Sequence, residues 1–256
     1  DEQLQTRVSI RNVWTSARNI VLRSGNPHNY LRMVEHIVAL RLGMGVDDVV
    51  IRTNAGDPPL FGRSSLDLVE AIEQCGIVER DEPARYVTVR EPVTFGGSRG
   101  DFLTFLPPEN GEKRLRLDVA IDFRSVIGKQ RIVFDLTPAT FRHGAFARTN
   151  ASHAQMLTVR LFGWLFADTR NLGYTPDNIL IHGRRRFYGE PRFVQPESGK
   201  ALEPVWHRAT LDLLAALALI DTGRFAGRVV SYRAGHTLDV RAVGLLYRHD
   251  LLTPLA

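Results

Sequence analysis

Two neighbouring runs, RLRLDVAIDF and KQRIVFDLT, constrain the fold of this chain more than any other feature. In residues 114–123 and 129–137, apolar side chains recur at every second position, as in strands that bury one face and expose the other. A sheet with one apolar face must be covered by a second layer of secondary structure. We therefore expect a layered fold in which these two runs are strands of one sheet.

Further strand and helix signals lie on both sides of these runs. GGSRG separates RYVTVREPVTF from DFLTFLPP, which indicates a β-hairpin. SSLDLVEAIEQCG has a serine start, apolar spacing of three and four and a terminal glycine, so it predicts a helix. The other predicted elements are strands at 18–24, 47–54, 178–183 and 227–235, and helices at 31–43, 152–171, 204–221 and after 235.

Strand and helix signals occur in both halves of the chain, which predicts an α+β fold class. The polar stretch ERDEPARY carries a proline and separates the two halves, so we place a domain boundary within it. The expected organisation is an N-terminal α+β domain at 1–82 and a C-terminal α+β domain at 83–256.

Composition and charge favour a soluble globular protein. Hydrophobic residues make up 44% and charged residues 24% of the chain, and no run approaches 18 consecutive apolar residues, so we expect at most peripheral membrane contact. The net charge of +5 is spread along the chain, which argues against a nucleic-acid partner. The run Arg184–Arg186 is interpreted as a solvated turn, with a contact to anionic headgroups as the alternative. A single cysteine, Cys75, excludes an intrachain disulfide and favours a reducing, cytoplasmic location.

Glu35 and His36 stand side by side within the apolar run MVEHIVAL, where charged groups need partners. Candidate partners are His207, Asp212 and His236. Two histidines and an aspartate can form a catalytic zinc site that leaves a position open for water. A structural role through hydrogen bonds is the alternative for each histidine, and His236 could cap a helix.

Three segments carry a resemblance to a known family. VEHIVALRLGMGVDDVVI, EPVWHRATLD and SYRAGHTLDVRAV occur in that family's order, with RLDVAIDF and KQRIVFDLT as its central strands. Over most of residues 18–245 the chain resembles UDP-3-O-acyl-N-acetylglucosamine deacetylase, the zinc enzyme that commits a sugar nucleotide to lipid A synthesis. The resemblance implies two α+β domains of similar topology, with helices packed between their sheets. It also implies an acylated UDP-amino sugar as substrate.

The resemblance also implies roles for individual residues. His36, His207 and Asp212 would hold Zn²⁺, and Glu35 would be the base that activates water. His236 would stabilise the oxyanion and protonate the leaving amine.

Two further positions complete the implied site. Thr149 would contact the tetrahedral oxyanion. Arg208 stands where the family has a lysine beside the ligand histidine, which keeps the charge and changes the geometry.

Four departures from the family pattern bear on activity. PPLFGRSS replaces a family stretch that carries an acidic residue before glycine. The step from His207 to Asp212 is five residues rather than four, which on a regular α-helix leaves the side chains about 140° apart. A π-bulge would bring them together, or His207 could precede the helix. Ala216 replaces an aspartate that steadies the acid histidine in the family. The family's first strands have no counterpart before Asp1, so we expect a smaller N-terminal sheet.

The departures leave other functions open. A divergent relative that has lost catalysis and serves as a ligand-binding or regulatory protein is the main alternative to a zinc-dependent deacetylase. A purely structural or nucleic-acid-binding protein is supported only by the basic charge balance.

Overall fold

The computed structural model describes residues 5–17, 19–26, 28–53, 56, 58, 60–162, 175 and 177–255. Strands and helices are mixed along the chain, and the predicted α+β fold class is confirmed. The helices are α1 Glu35–Gly43, α2 Leu66–Cys75, α3 Pro138–Gly144, α4 His153–Phe162, α5 Glu203–His207, α6 Leu214–Leu217 and α7 His236–Arg248. A π-helical segment, Arg208–Leu213, connects α5 to α6 and is called the π turn below.

Two sheets form the main strand layers. The smaller is antiparallel, in the order β1-β2-β3, and consists of β1 Val13–Thr15, β2 Val21–Arg23 and β3 Tyr30–Leu31. The larger has the order β5-β6-β13-β7-β8 and consists of β5 Val93–Gly96, β6 Phe102–Leu106, β7 Leu115–Phe123, β8 Gly128–Asp135 and β13 Gly227–Tyr232. The expectation that the N-terminal sheet is smaller than in the family stays a prediction.

The two alternating runs pair as predicted. β7 and β8 are antiparallel neighbours, and the predicted hairpin around GGSRG joins β5 to β6. Leu117, Val119 and Ile121 of β7 are buried at every second position, which is the apolar face inferred from the sequence. α5 and the π turn pack against β7, so the helix layer covers this sheet.

Two small sheets lie beside this layer. One has the order β11-β10-β9 and consists of β9 Thr149–Ser152, β10 Ile179–His182 and β11 Phe187–Tyr188. The other has the order β12-β4-β14 and consists of β4 Tyr86–Val89, β12 Arg224–Phe225 and β14 Leu252–Leu255.

α1 joins the N-terminal part of the chain to the long helical segment. It packs against the π turn and α6, and its Arg41 donates hydrogen bonds to the carbonyls of Ala218 and Ile220 at 2.7 and 2.9 Å. Gly43 allows this close packing, because a Cβ there would lie 2.2 Å from the Phe141 ring. Apolar residues from both halves form one continuous core. The predicted boundary between 82 and 83 falls in the exposed connection from α2 to β4 and stays a prediction.

One predicted strand is wrong. The described part of 47–54 contains neither strand nor helix, and Val49, Val50 and Ile51 are exposed. β-branched residues favour strands only where a neighbouring strand pairs with them.

Other sequence expectations have mixed outcomes. The helix predicted at 152–171 is present as α4, and residues 163–171 lie outside the described part of the chain. Arg184–Arg186 form an exposed bend, as predicted. Within the described residues no helix has both the length and the apolar character needed to cross a bilayer.

Candidate active site

Glu35 and His36 open α1 and find their partners in distant parts of the chain. Glu35 is only 4% exposed, and the Ile20 backbone N–H donates a hydrogen bond to its carboxylate. The same carboxylate lies 3.8 Å from His236 Nε2. Burial raises the pKa of Glu35, against the opposing effects of His236 and of backbone hydrogen bonds. Neighbouring residues on a helix point about 100° apart, so Glu35 and His36 reach different groups.

The hydroxyl of Thr149 lies between two imidazoles. Its Oγ1 is 3.0 Å from the Nε2 of His36 and 3.0 Å from the Nε2 of His207. A threonine hydroxyl has one hydrogen to donate, so it donates to one ring and accepts from the other. Thr149 begins β9, which brings this third element into contact with α1 and α5.

The π turn resolves the unusual spacing of His207 and Asp212. A π-helix bonds residue i to residue i+5, so a five-residue step brings two side chains to one face. Asp212 Oδ1 lies 3.5 Å from His207 Nδ1. The predicted π-bulge is confirmed, and the alternative in which His207 precedes the helix is wrong, because His207 is the last residue of α5.

Side-chain contacts support the π turn locally. The Thr210 hydroxyl donates to the Trp206 carbonyl at 2.7 Å, satisfying a backbone acceptor that a regular α-helix would bond differently. Gly144 of α3 lies against the turn, since a Cβ there would be 2.3 Å from Thr210 Cγ2. The lack of a side chain at this position therefore lets α3 pack directly on the turn.

His236 completes the cluster from the start of α7. Its Nε2 is 3.7 Å from Asp212 Oδ1 and 3.8 Å from Glu35 Oε1, so it lies between two carboxylates. Burial disfavours the ionised form of Asp212, but the charges of His207 and His236 outweigh this effect and hold its pKa below its usual range. The cluster therefore combines a buried carboxyl with a raised pKa, a second carboxyl with a lowered pKa and an imidazole close to both.

A buried ion pair fixes two of the elements that meet at the cluster. Arg148 precedes Thr149, and Glu203 opens the helix that carries His207. Arg148 Nε donates to Glu203 Oε1 at 2.7 Å, and its backbone N–H donates to the same oxygen at 2.9 Å. The pair therefore holds the Thr149 strand against the His207 helix.

The residues in this cluster suit a zinc ion in their chemistry. Zinc binds neutral imidazole nitrogen and carboxylate oxygen, and burial together with the nearby His207 lowers the pKa of His36 to about 3, which keeps that ring neutral. The hydroxyls of Ser64 and Ser65 lie 3.3 Å from His36 Nδ1, and a hydrogen bond to this nitrogen orients the ring of a ligand histidine. His207 Nδ1 is buried and makes no hydrogen bond within the described residues.

These groups are not arranged as ligands in the structure. Across the described ranges, no three His, Cys, Asp or Glu side chains form a group that could hold a metal ion. Both Nε2 atoms face the Thr149 hydroxyl, and Asp212 lies at the opposite nitrogen of the His207 ring. The donor set therefore fits zinc by residue type and protonation state, and not by a preformed geometry.

Comparison with known proteins identifies the family. The family described as LpxC, UDP-3-O-acyl N-acetylglycosamine deacetylase, matches residues 1–248. The chain belongs to this deacetylase family. Proteins named UDP-3-O-acyl-N-acetylglucosamine deacetylase from Brucella ovis, Brucella canis and Brucella abortus are each 29% identical to it over 222 residues. The aligned region covers 83% of this chain and 69% of each relative.

Six of the seven site residues inferred through the deacetylase resemblance meet in one cluster, and the seventh points elsewhere. Their individual roles stay predictions. Arg208 is directed at Asp239 and at the backbone of Ala234 rather than at the cluster, although it lines the cleft that exposes Asp212.

Several residues around the deacetylase site were missed from the sequence. The serines before α2 were interpreted as a helix start, yet Ser65 makes no side-chain cap and instead donates to the His36 carbonyl at 2.9 Å. Arg148 and Glu203 are 55 residues apart, and no local pattern in the sequence links them. Asp239 lies in the quoted segment SYRAGHTLDVRAV, where its spacing of three from His236 was the available signal.

Proposed function

We propose that this protein is a zinc-dependent deacetylase that hydrolyses the acetamide of a UDP-3-O-acyl-N-acetylglucosamine-like substrate in lipid A biosynthesis. The observation that carries the proposal is the convergence of Glu35, Thr149 and His236 around the pair His36 and His207, with residues drawn from four separate elements. Family membership supplies the substrate class, since the named relatives are deacetylases of this acylated amino sugar.

His36, His207 and Asp212 are the residues that would hold the zinc. When bound, the ion would polarise the acetamide carbonyl and make a water more acidic. Chain segments on both sides of the predicted domain boundary would then share one ion.

Glu35 acts as the general base in this proposal. A carboxylate whose pKa is raised by burial is a better proton acceptor than an exposed one, provided that a water lies within hydrogen-bond reach. Glu35 takes a proton from the attacking water while the water oxygen forms a bond to the acetamide carbon. Ile20 holds the carboxylate in place through its backbone N–H.

His236 and Thr149 act on the other side of the reaction. The Thr149 hydroxyl donates a hydrogen bond to the oxygen that becomes negative in the tetrahedral intermediate. His236 donates a proton to the sugar nitrogen as the carbon–nitrogen bond breaks, which releases acetate and the free amine. Its Nε2 lies 3.8 Å from Glu35 Oε1 and 3.7 Å from Asp212 Oδ1, so the ring that donates this proton is beside the proposed base.

Acetate release from UDP-3-O-acyl-N-acetylglucosamine tests the proposal. Purified protein is stripped with a chelator and assayed before and after zinc is restored, with His36→Ala as the inactive control. We expect release that depends on zinc and is lost in the variant. Zinc-loaded protein that releases no acetate from any acylated nucleotide sugar would refute it.

A relative that has lost catalysis is the second candidate. The observation that favours it is Ala216, together with His236 Nδ1, which is buried and has no hydrogen-bond partner in the described part of the chain. Metal analysis separates the two proposals. A protein that is purified without zinc and takes up none would support the non-catalytic candidate.

A further inference from the structure

Arg208 contacts the segment that carries His236 at three points. Its Nε donates to the Ala234 carbonyl at 2.9 Å, and one terminal nitrogen donates to Asp239 Oδ1 at 2.6 Å. The same nitrogen lies 3.4 Å from the Ser231 hydroxyl. These contacts span the end of β13, the loop and the first turn of α7. Arg208 therefore contacts the chain on both sides of His236, at Ser231 and Ala234 before it and at Asp239 after it.

Arg208 is also the residue that follows His207. Through one side chain, the helix that carries His207 is tied to the helix that carries His236. A guanidinium can direct separate N–H groups at a carbonyl and a carboxylate at once, whereas a lysine ammonium is a single point charge on a flexible stem. The contact pattern is thus specific to arginine at this position.

Asp239 is completely buried, and its position on α7 relates it to His236. Residues three apart on a helix are neighbours on one face, so Asp239 lies beside His236. Asp239 Oδ2 and His236 Nδ1 are both buried without a hydrogen-bond partner in the described residues. The two atoms are therefore not hydrogen-bonded to each other, and a buried carboxylate with one free oxygen can orient a nearby imidazole through a water.

The burial of this pair needs an explanation beyond stability. The Arg208 and Asp239 side chains are 7% and 0% exposed. Replacing such a pair with apolar residues of similar volume is often neutral or stabilising, so the pair is poorly explained by stability alone. The pair links the residue after His207 to the helix that carries His236, which gives it a role in geometry.

We propose that Arg208 and Asp239 are a positioning pair that sets the orientation of His236 relative to His207. Neither residue contacts the reacting atoms. The predicted change in kcat rests on the proposed function. The predicted effect on the orientation of the His236 ring does not. Arg208 was expected to be catalytic from the sequence, and the proposal assigns it a positioning role instead.

The test uses Asp239→Asn and the double variant Arg208→Gln/Asp239→Asn. The double variant removes both charges, so it leaves no lone buried charge to prevent folding. The matched control is Asp118→Asn, which breaks ion pairs with Arg131 and Arg228, two residues outside the cluster. Acetate release gives kcat and KM, and long-range ¹H–¹⁵N spectra of histidine-labelled protein report the His236 ring.

We expect both variants to lose about 10²-fold in kcat, the size of effect that a displacement of about 1 Å produces, with KM changed by less than about threefold. The His236 ring signals shift in both variants and stay in place in Asp118→Asn. A kcat no lower than that of the control, with His236 signals unmoved, overturns the proposal.

The two proposals fail in different ways. If the wild-type protein releases no acetate, the proposed function fails, and the ring spectra alone decide the positioning role. A shift of the His236 signals then supports it, and unchanged signals overturn it.

Discussion

Replacing Glu203 with glutamine tests whether the buried pair with Arg148 holds the site together. The carboxylate is fully buried and accepts four hydrogen bonds. Three come from Arg148, through its backbone N–H at 2.9 Å, Nε at 2.7 Å and a terminal nitrogen at 3.0 Å. The fourth comes from the Arg192 backbone N–H at 2.6 Å.

The size of the effect follows from these contacts. A glutamine side chain has one acceptor oxygen with two lone pairs, so it keeps at most two of the four bonds, and its amide hydrogens face donors. Two lost hydrogen bonds to a charged group cost about 3–6 kcal/mol, and breaking one side of a buried ion pair costs about 3–5 kcal/mol. We expect Glu203→Gln to lower the free energy of unfolding by about 3–5 kcal/mol.

Urea unfolding of wild type and variant measures this difference. Asp118→Asn is the matched control, because Asp118 is buried but its partners Arg131 and Arg228 have 62% and 43% exposed side chains and can return to water. Its loss should be clearly smaller. A Glu203→Gln loss below about 1 kcal/mol would refute the reasoning, because it would mean that the Arg148 charge needs no buried partner.

Three further substitutions probe the site and its support. Glu35→Gln should lower acetate release about 10²–10⁴-fold without lowering the melting temperature, since it removes a proton acceptor and a buried charge; near-normal turnover would exclude Glu35 as the base. Thr149→Val should lower kcat about 10²–10³-fold by removing an oxyanion donor, and an unchanged kcat would remove Thr149 from the mechanism. Gly144→Ala should lower the free energy of unfolding in urea by about 1–3 kcal/mol, because its Cβ would lie 2.3 Å from Thr210. Equal stability of variant and wild type would show that the π turn can move to make room for the added methyl group.

Local patterns in the sequence predicted much of the fold. The alternation in β7 and β8 and the glycines of the hairpin act over a few residues, so they can be recognised without the rest of the chain. The π turn was one of two alternatives, and it was raised because the family resemblance requires His207 and Asp212 to meet across a spacing of five residues.

Features that depend on distant neighbours were not predictable in the same way. Val49, Val50 and Ile51 have strand propensity, yet no described strand pairs with them. β14 contains Pro254, which argues against a strand, but β14 pairs only at the edge of its sheet, where proline is tolerated.

The partners of the site depend on the fold as a whole. Ser65 reaches His36 across 29 residues, and Arg208 reaches Asp239 across 31. The cluster itself was inferred through family resemblance, whereas the residues that hold it in place required the structure.

Zinc binding decides whether His36, His207 and Asp212 share one ion across the helix layer. Chelator-stripped protein is titrated with zinc, and X-ray absorption at the zinc edge reports the ligands. We expect one zinc ion per chain, with imidazole nitrogens at about 2.0–2.1 Å and a carboxylate oxygen at about 2.0–2.2 Å. Asp212→Ala should weaken zinc binding. No uptake of zinc, or uptake that is unchanged when any of the three residues is replaced, would contradict it.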